Sequence, residues 1–460
     1  MSVLTLYILP FAGILLGLVV IHEGGHYIAA KLFGVKVLEA GIGLPPRIWG
    51  FTWRDTQYSL NALPLGAFVR LLGEEDPSDP HSLAAQPKWK RTIIIGAGAF
   101  LNIVVAVVLF SVALIVPHSL SIGGAKIAGV APGSPAAHAG LQVGDQITKI
   151  NGRAVNSFED ASYLIRLYQG SRIDFTVTRR DPGSGTARTM QVDNVYARWN
   201  PQPYTDECGV KQSEGPTGIT VTPGGVVPIS RTPQETAQLL QQSERDYAAY
   251  KKDMAPGAPP GCGASKFGFD ALTAAACSGL SGKQLADAQA LKARLFAGTP
   301  QPCYVFSPPP ATEVLTRSVS ESPLTALGHG ARMTFESIIL MRNQIWGLLR
   351  GFTNRSPITG PVGIAQATGE VVHQAGWQSL ILLAASISMS LGVINFLPIP
   401  MLDGGRLFFI LIEFLRRGRR IAPEKEALVH LVGLVAMLTL FAVVTYFDIA
   451  RIISGGSLLR

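Results

Sequence analysis

Residues 18–30 read LVVIHEGGHYIAA. They close an apolar run that begins near residue 4 and carries no charge before His22. Residues four apart share one face of a helix. In His22-Glu23-Gly24-Gly25-His26 both imidazoles can therefore reach one zinc ion, and Glu23 is placed to act on a water there as general base. Three ionisable groups near the end of a spanning helix are costly in lipid unless they face a partner or a wet cavity. The plainer reading, a polar cluster capping the helix at the interface, leaves that cost unanswered.

The surrounding composition fits a membrane setting. Of 460 residues, 47% are hydrophobic and only 15% charged, against about 25% charged in soluble domains. A helical span takes about 20 apolar residues. Residues 4–30, 92–116 and 428–447 meet that requirement, and 377–396 is a fourth candidate. The small residues of its AASISMSLG run point to close helix packing rather than lipid contact. The first run lacks the basic start and cleavage site of a signal peptide. A net charge of +8 suits a membrane protein better than a nucleic-acid binder, because the basic residues gather beside apolar runs. Lys31, Lys36, Arg47, Arg54, Arg70, Lys88, Lys90 and Arg91 lie between the first two spans, and Arg416, Arg417, Arg419, Arg420 and Lys425 precede the last. Positive loops stay cytoplasmic. Both termini and residues 117–376 are then expected outside a plasma membrane that the chain crosses several times.

The outside stretch holds Cys208, Cys262, Cys277 and Cys303, an even set that reads as disulfides in an oxidising compartment. Four cysteines allow three pairings. Residues 121–222 form one α+β unit, in which Ile173, Phe175 and Val177 fall on one face of a strand. Residues 223–322 read as a small Pro- and Cys-rich insertion with two polar helices. Residues 324–351 repeat apolar side chains at helical spacing, as in a helix lying on the outer membrane face. Between the first two spans, β-branched and aromatic runs broken by Gly and Pro read as strands and hairpins.

Two histidines leave a catalytic zinc one protein ligand short. Residues 395–405, NFLPIPMLDGG, contain Asp403 as their only carboxylate. Pro398 and Pro400 break the helix, and irregular backbone at membrane depth survives only where protein buries it or it lines a cavity. Charge places Asp403 and His26 on the same, cytoplasmic side.

HExxH at 22–26 with NxxPxPxLDG at 395–404 resembles the signature of the site-2 protease family of intramembrane metalloproteases, closest to the bacterial branch of the regulator of sigma-E protease. Gly98 to Asn102 is similar to that family's GxxxN. Residues 63–74, LPLGAFVRLLGE, resemble its re-entrant β-loop, and GPVGIA at 360–365 the stretch before its third core helix. Residues 133–155, GSPAAHAGLQVGDQITKINGRAV, resemble a PDZ domain, one where the named protease has two.

The resemblance implies a polytopic helical membrane protein. Residues 1–116 and 352–460 would be the two halves of its protease core, with two spanning helices in each. His22, His26 and Asp403 would bind zinc, and Glu23 would activate water. Asn395, with Pro398 and Pro400, would hold the substrate's unwound backbone. Gly66, Ala67 and Phe68 of the β-loop would pair with it as an added strand. Substrates would be single-span proteins in the bilayer, such as anti-sigma factors or signal-peptide remnants, already trimmed by another protease; no nucleic acid is implied. The alternative in a different class is a membrane-anchored PDZ scaffold with a vestigial metal site. A metal-dependent transporter is disfavoured by the intact HExxH.

Overall fold

The computed structural model describes residues 8–74, 76–181, 183–201, 204–205, 211–212, 215–228, 232–253, 280–295, 312–350, 360–375 and 379–453. All four cysteines, and the disulfides expected of them, lie outside the described residues. The chain divides into two compact units. One comprises residues 1–118, 320–345 and 353–460, and the other residues 119–319 and 346–352.

In chain order the elements begin with α1 (Leu9–Leu32), β1 (Val37–Trp53), β2 (Thr56–Leu71) and α2 (Lys88–Ile115). Then come β3 (His118–Ser121), β4 (Ala125–Val130), α3 (Pro135–Ala139), β5 (Gln146–Ile150), β6 (Arg153–Ala154) and α4 (Phe158–Leu167). β7 (Arg172–Arg180), β8 (Ala187–Tyr196), β9 (Tyr204–Thr205), β10 (Lys211–Gln212), β11 (Ile219–Pro223) and β12 (Val226–Pro228) follow. After them lie α5 (Pro233–Asp253), α6 (Gly282–Leu295), β13 (Thr312–Val314), β14 (Thr316–Val319) and α7 (Pro323–Leu349). The chain ends with α8 (Pro361–Ala375), α9 (Ser379–Phe396), α10 (Asp403–Leu415) and α11 (Pro423–Ile453).

Four helices are long and apolar enough to cross a membrane: α1, α2, α9 and most of α11. The chain is a membrane protein with additional β structure. α9 packs on α2 through Ala385, Ser388, Met389 and Gly392, which are all buried and recur at helical spacing. Ser388 Oγ donates to the Asn102 carbonyl at 2.8 Å. The small residues thus serve helix contact, because only short side chains let two backbones come this close.

Between α1 and α2 the chain forms a small sheet. Residues 37–42 of β1 pair with the end of β2 on one side (Ala40 with Val69, Ile42 with Ala67) and with its start on the other (Ala40 with Tyr58, Ile42 with Leu60). Residues 49–53 extend the pairing along 56–60. The segment 67–71 is therefore an edge strand. Lys31 and Tyr27 of α1 fix the sheet, by Lys31 Nζ to Thr56 Oγ1 at 2.8 Å and Tyr27 Oη to Tyr58 Oη at 2.7 Å. Ala29, Ala30, Val37, Leu71, Ile94 and Ile410 are buried in one cluster that joins α1, the sheet, α2 and α10.

Two arginines that sequence counts only as topogenic charge have structural partners. Arg91 meets the buried Glu413 at 2.8 Å, and Arg420 approaches the same carboxylate while donating to the Ala84 carbonyl at 2.7 Å. Buried carboxylates are retained when paired and hydrogen-bonded, so this cluster fixes the far end of α10.

In the other unit, β11, β4, β5, β7 and β8 form a sheet in that order, with β6 paired to β5. Ile173, Phe175 and Val177 are fully buried, as the alternation in β7 requires, together with Ile127, Ile147 and Ile150. α4 starts with a capping box, in which Ser157 and Asp160 each accept from the other's backbone N–H. The buried Asp145 accepts from Arg179 Nε at 2.7 Å and Nη2 at 2.8 Å.

Candidate metal centre

α1 is built to carry polar residues in an apolar helix. His22 and His26 lie one turn apart and face α2. The close approach depends on Gly98, where a Cβ would overlap His26 Nε2, the His22 carbonyl oxygen and His22 Cε1. Across the core, Pro398 and Pro400 stop α9, and the chain folds back before α10 begins at Asp403. Gly404 makes this possible, since a Cβ there would overlap the Leu397 carbonyl. Asp403 then sits in the first turn of α10, where the helix dipole favours a negative charge.

Three ligand-type atoms converge. His22 Nε2 lies 3.0 Å and His26 Nε2 3.2 Å from Asp403 Oδ2, and the two Nε2 atoms are 3.2 Å apart. Among the described residues this is the only group of three such side chains able to hold a metal. Tetrahedral zinc with ligands at ~2.0–2.2 Å spaces them by roughly 3.3–3.5 Å, so the triangle fits zinc closely. Asp403 Oδ2 is shut off from solvent and, among the described residues, has no well-aligned hydrogen-bond donor despite these short contacts. A buried carboxylate oxygen without a donor is costly, and a metal ion would satisfy it. Three protein ligands leave the fourth position open, as in catalytic zinc sites.

The rim of the site is made partly of backbone. His26 Nδ1 meets the Ile94 carbonyl at 2.9 Å, the second contact that fixes a ligating imidazole. The Glu23 carboxylate shares the field of His22, His26 and Asp403, and the Val69 N–H of the edge strand faces it. Sequence gives no sign of either backbone group.

The other sequence candidates fall around this centre. Gly66 leads into the edge strand that reaches Glu23, and Ala67 and Phe68 begin it, although the Phe68 ring packs over Gly41 within the sheet. Asn395 is half-buried near the end of α9, and its amide makes no hydrogen bond with another described residue. Pro398 is exposed. Pro400 lines an apolar cavity of about 580 Å³ with Ile399, Leu428, Val432, Gly433 and Met437.

His430 Nδ1 accepts from the Met401 N–H at 2.9 Å, two residues before Asp403. Met401 has φ of +81°, an uncommon backbone for a side chain of its size, and the hydrogen bond helps to hold it. Elsewhere, His329 pairs with Glu321 at 2.8 Å. The two stand eight positions apart in the chain, so the spacing of ligand pairs does not reveal this contact. The His373 side chain lies outside what is described.

The sequence profile described as peptidase family M50 matches residues 10–440. A protein of Agrobacterium fabrum is 26% identical over 98% of this chain and 97% of its own length. One of Ralstonia nicotianae is 29% identical over 97% and 99%, and one of Clostridium perfringens 28% over 94% and 95%. Each bears the name of a zinc metalloprotease. The match runs through both halves of the membrane core, and with it the chain belongs to peptidase family M50, the site-2 proteases, and is a metalloendopeptidase.

Proposed function

We propose that the protein is a zinc-dependent intramembrane endopeptidase that cuts single-span membrane proteins in or near their spanning segments. The convergence of His22, His26 and Asp403 beside Glu23, on helices apolar enough to cross a bilayer, carries this reading. Bound zinc supplies a Lewis acid that makes water acidic near neutral pH and polarises the scissile carbonyl. Glu23 takes the proton from the attacking water as its oxygen adds to the carbonyl carbon. It returns a proton to the amide nitrogen as the C–N bond breaks. The Asn395 amide orients the substrate backbone.

A spanning helix hides its carbonyls in its own hydrogen bonds, so the substrate must unwind before it is cut. The edge strand 67–71 offers replacement partners by strand addition. The Val69 N–H points away from β1 toward Glu23, and the Leu71 N–H approaches Glu74 at 3.4 Å. The period of two puts the Ala67 N–H on the same open edge. Ala67→Pro removes that donor and leaves the ligands untouched. It is expected to lower kcat/KM about tenfold, the worth of one hydrogen bond, while zinc content stays at the wild-type level. Unchanged cleavage kinetics would show that the substrate does not use this edge.

Exposed Ile48, Trp49, Phe51 and Trp53 support a sheet that dips into the bilayer from the cytoplasmic side, since a solvated hairpin would not display them together. The positive loops support an orientation with both termini outside. The sheet and helices of residues 121–222 support a PDZ domain on the outer face, acting as a filter that admits substrates already trimmed by another protease. Residues 223–322 remain with it as an outer insertion. The scaffold alternative has no support in a site where base and ligands are all in place.

The deciding experiment uses the full chain in lipid nanodiscs with a tagged single-span substrate. Cleavage should stop when a chelator removes zinc and return when zinc is restored. Cleavage that persists at full rate after zinc removal would refute the reading.

A further inference from the structure

Both histidines turn Nε2 toward Asp403, which leaves each Nδ1 for a supporting contact. His26 Nδ1 has the Ile94 carbonyl, which can only accept. His22 Nδ1 has Asn102, whose amide nitrogen is placed 3.4 Å away. Asn102 is fully buried on α2, and among the described residues its Oδ1 has no hydrogen-bond partner.

The proposed zinc reading, on which this inference rests, fixes the protons. Nε2 must give its lone pair to the metal, so His22 Nδ1 carries hydrogen and donates. An amide NH2 facing it would set donor against donor. The two ends of an asparagine amide differ little in shape and are assigned from their partners. Turned by 180°, Oδ1 accepts from His22 Nδ1 and is no longer orphaned. We propose that Asn102 is a positioning residue for the metal centre: its side-chain oxygen accepts from His22 Nδ1–H, fixing the tautomer and ring orientation that present Nε2 to zinc.

Burial gives the contact its weight. With Asn102 inaccessible to water, no solvent molecule can readily take over as acceptor. Supporting acceptors of ligating histidines typically change metal affinity by 10–100-fold when removed.

The test measures zinc rather than turnover. Full-length protein in nanodiscs is titrated with a chelator of known zinc affinity, and bound metal is counted. Asn102→Leu keeps the approximate volume and removes the acceptor, so its zinc affinity should fall about 10–100-fold. Asn102→Asp keeps an oxygen at the same place and should stay close to wild type. Wild-type affinity in Asn102→Leu overturns the proposal. Equal losses in both variants also overturn it, because a packing role does not distinguish an acceptor from its absence. Should Asn102→Leu not fold, Asn102→Asp decides alone: retained affinity supports the acceptor role, and a loss of about tenfold or more overturns it. His22→Ala, run beside them, separates this inference from its premise. Full zinc retention in that variant would sink the ligand assignment itself.

Discussion

Glu23→Gln is expected to yield a folded, zinc-loaded protein that cuts its substrate on the order of 10³–10⁴-fold more slowly. Glutamine keeps the size of the side chain and can still face the Val69 N–H through its amide oxygen. It cannot take a proton from water or hand one to the leaving nitrogen, so both halves of the reaction lose their acid–base partner. Metal content should not change, because the three converging atoms belong to His22, His26 and Asp403. Zinc analysis and single-span cleavage on the same preparation check both halves of the expectation. Near-normal turnover would remove Glu23 from its role, and loss of zinc would make it a ligand instead.

Asp403→Ala has the opposite signature, since metal and activity should fall together. Zinc held by two imidazoles alone lacks the donor set of a catalytic site. The loss should exceed the ~100-fold upper range seen when a mere supporting partner of a ligand is removed. The surrounding helices have other anchors. Arg91 and Arg420 hold the end of α10 through Glu413, and Arg406 meets Glu74 at 2.8 Å. The variant should therefore fold, and its metal-free form should melt close to metal-free wild type. If Asp403→Ala kept its zinc while Asn395→Ala lost it, the third ligand would have been misassigned.

The two predictions draw on different parts of the chain. His22, Glu23 and His26 are local: once a helix forms, its 3.6-residue repeat puts both imidazoles on one face. The same holds for the apolar spans and for the buried alternation of β7, because those periods are written directly in the residues. Asp403 was legible for a different reason. A carboxylate next to two helix-breaking prolines at membrane depth needs a partner.

What sequence determined here is the kind of chemistry and the segments that carry it: two histidines and a glutamate on one spanning helix, an aspartate on a broken one, and apolar runs long enough for a bilayer. Tertiary structure alone decided what surrounds the metal-binding atoms. The Ile94 carbonyl behind His26 and the Val69 N–H before Glu23 are backbone groups, and nearly every residue carries the same pair, so no residue type announces them. The buried Glu413 between Arg91 and Arg420, His430 against Met401, and Asn102 against His22 join residues from separate elements. Such contacts follow from how helices pack, and packing is set by the summed fit of many side chains rather than by any repeat within one segment.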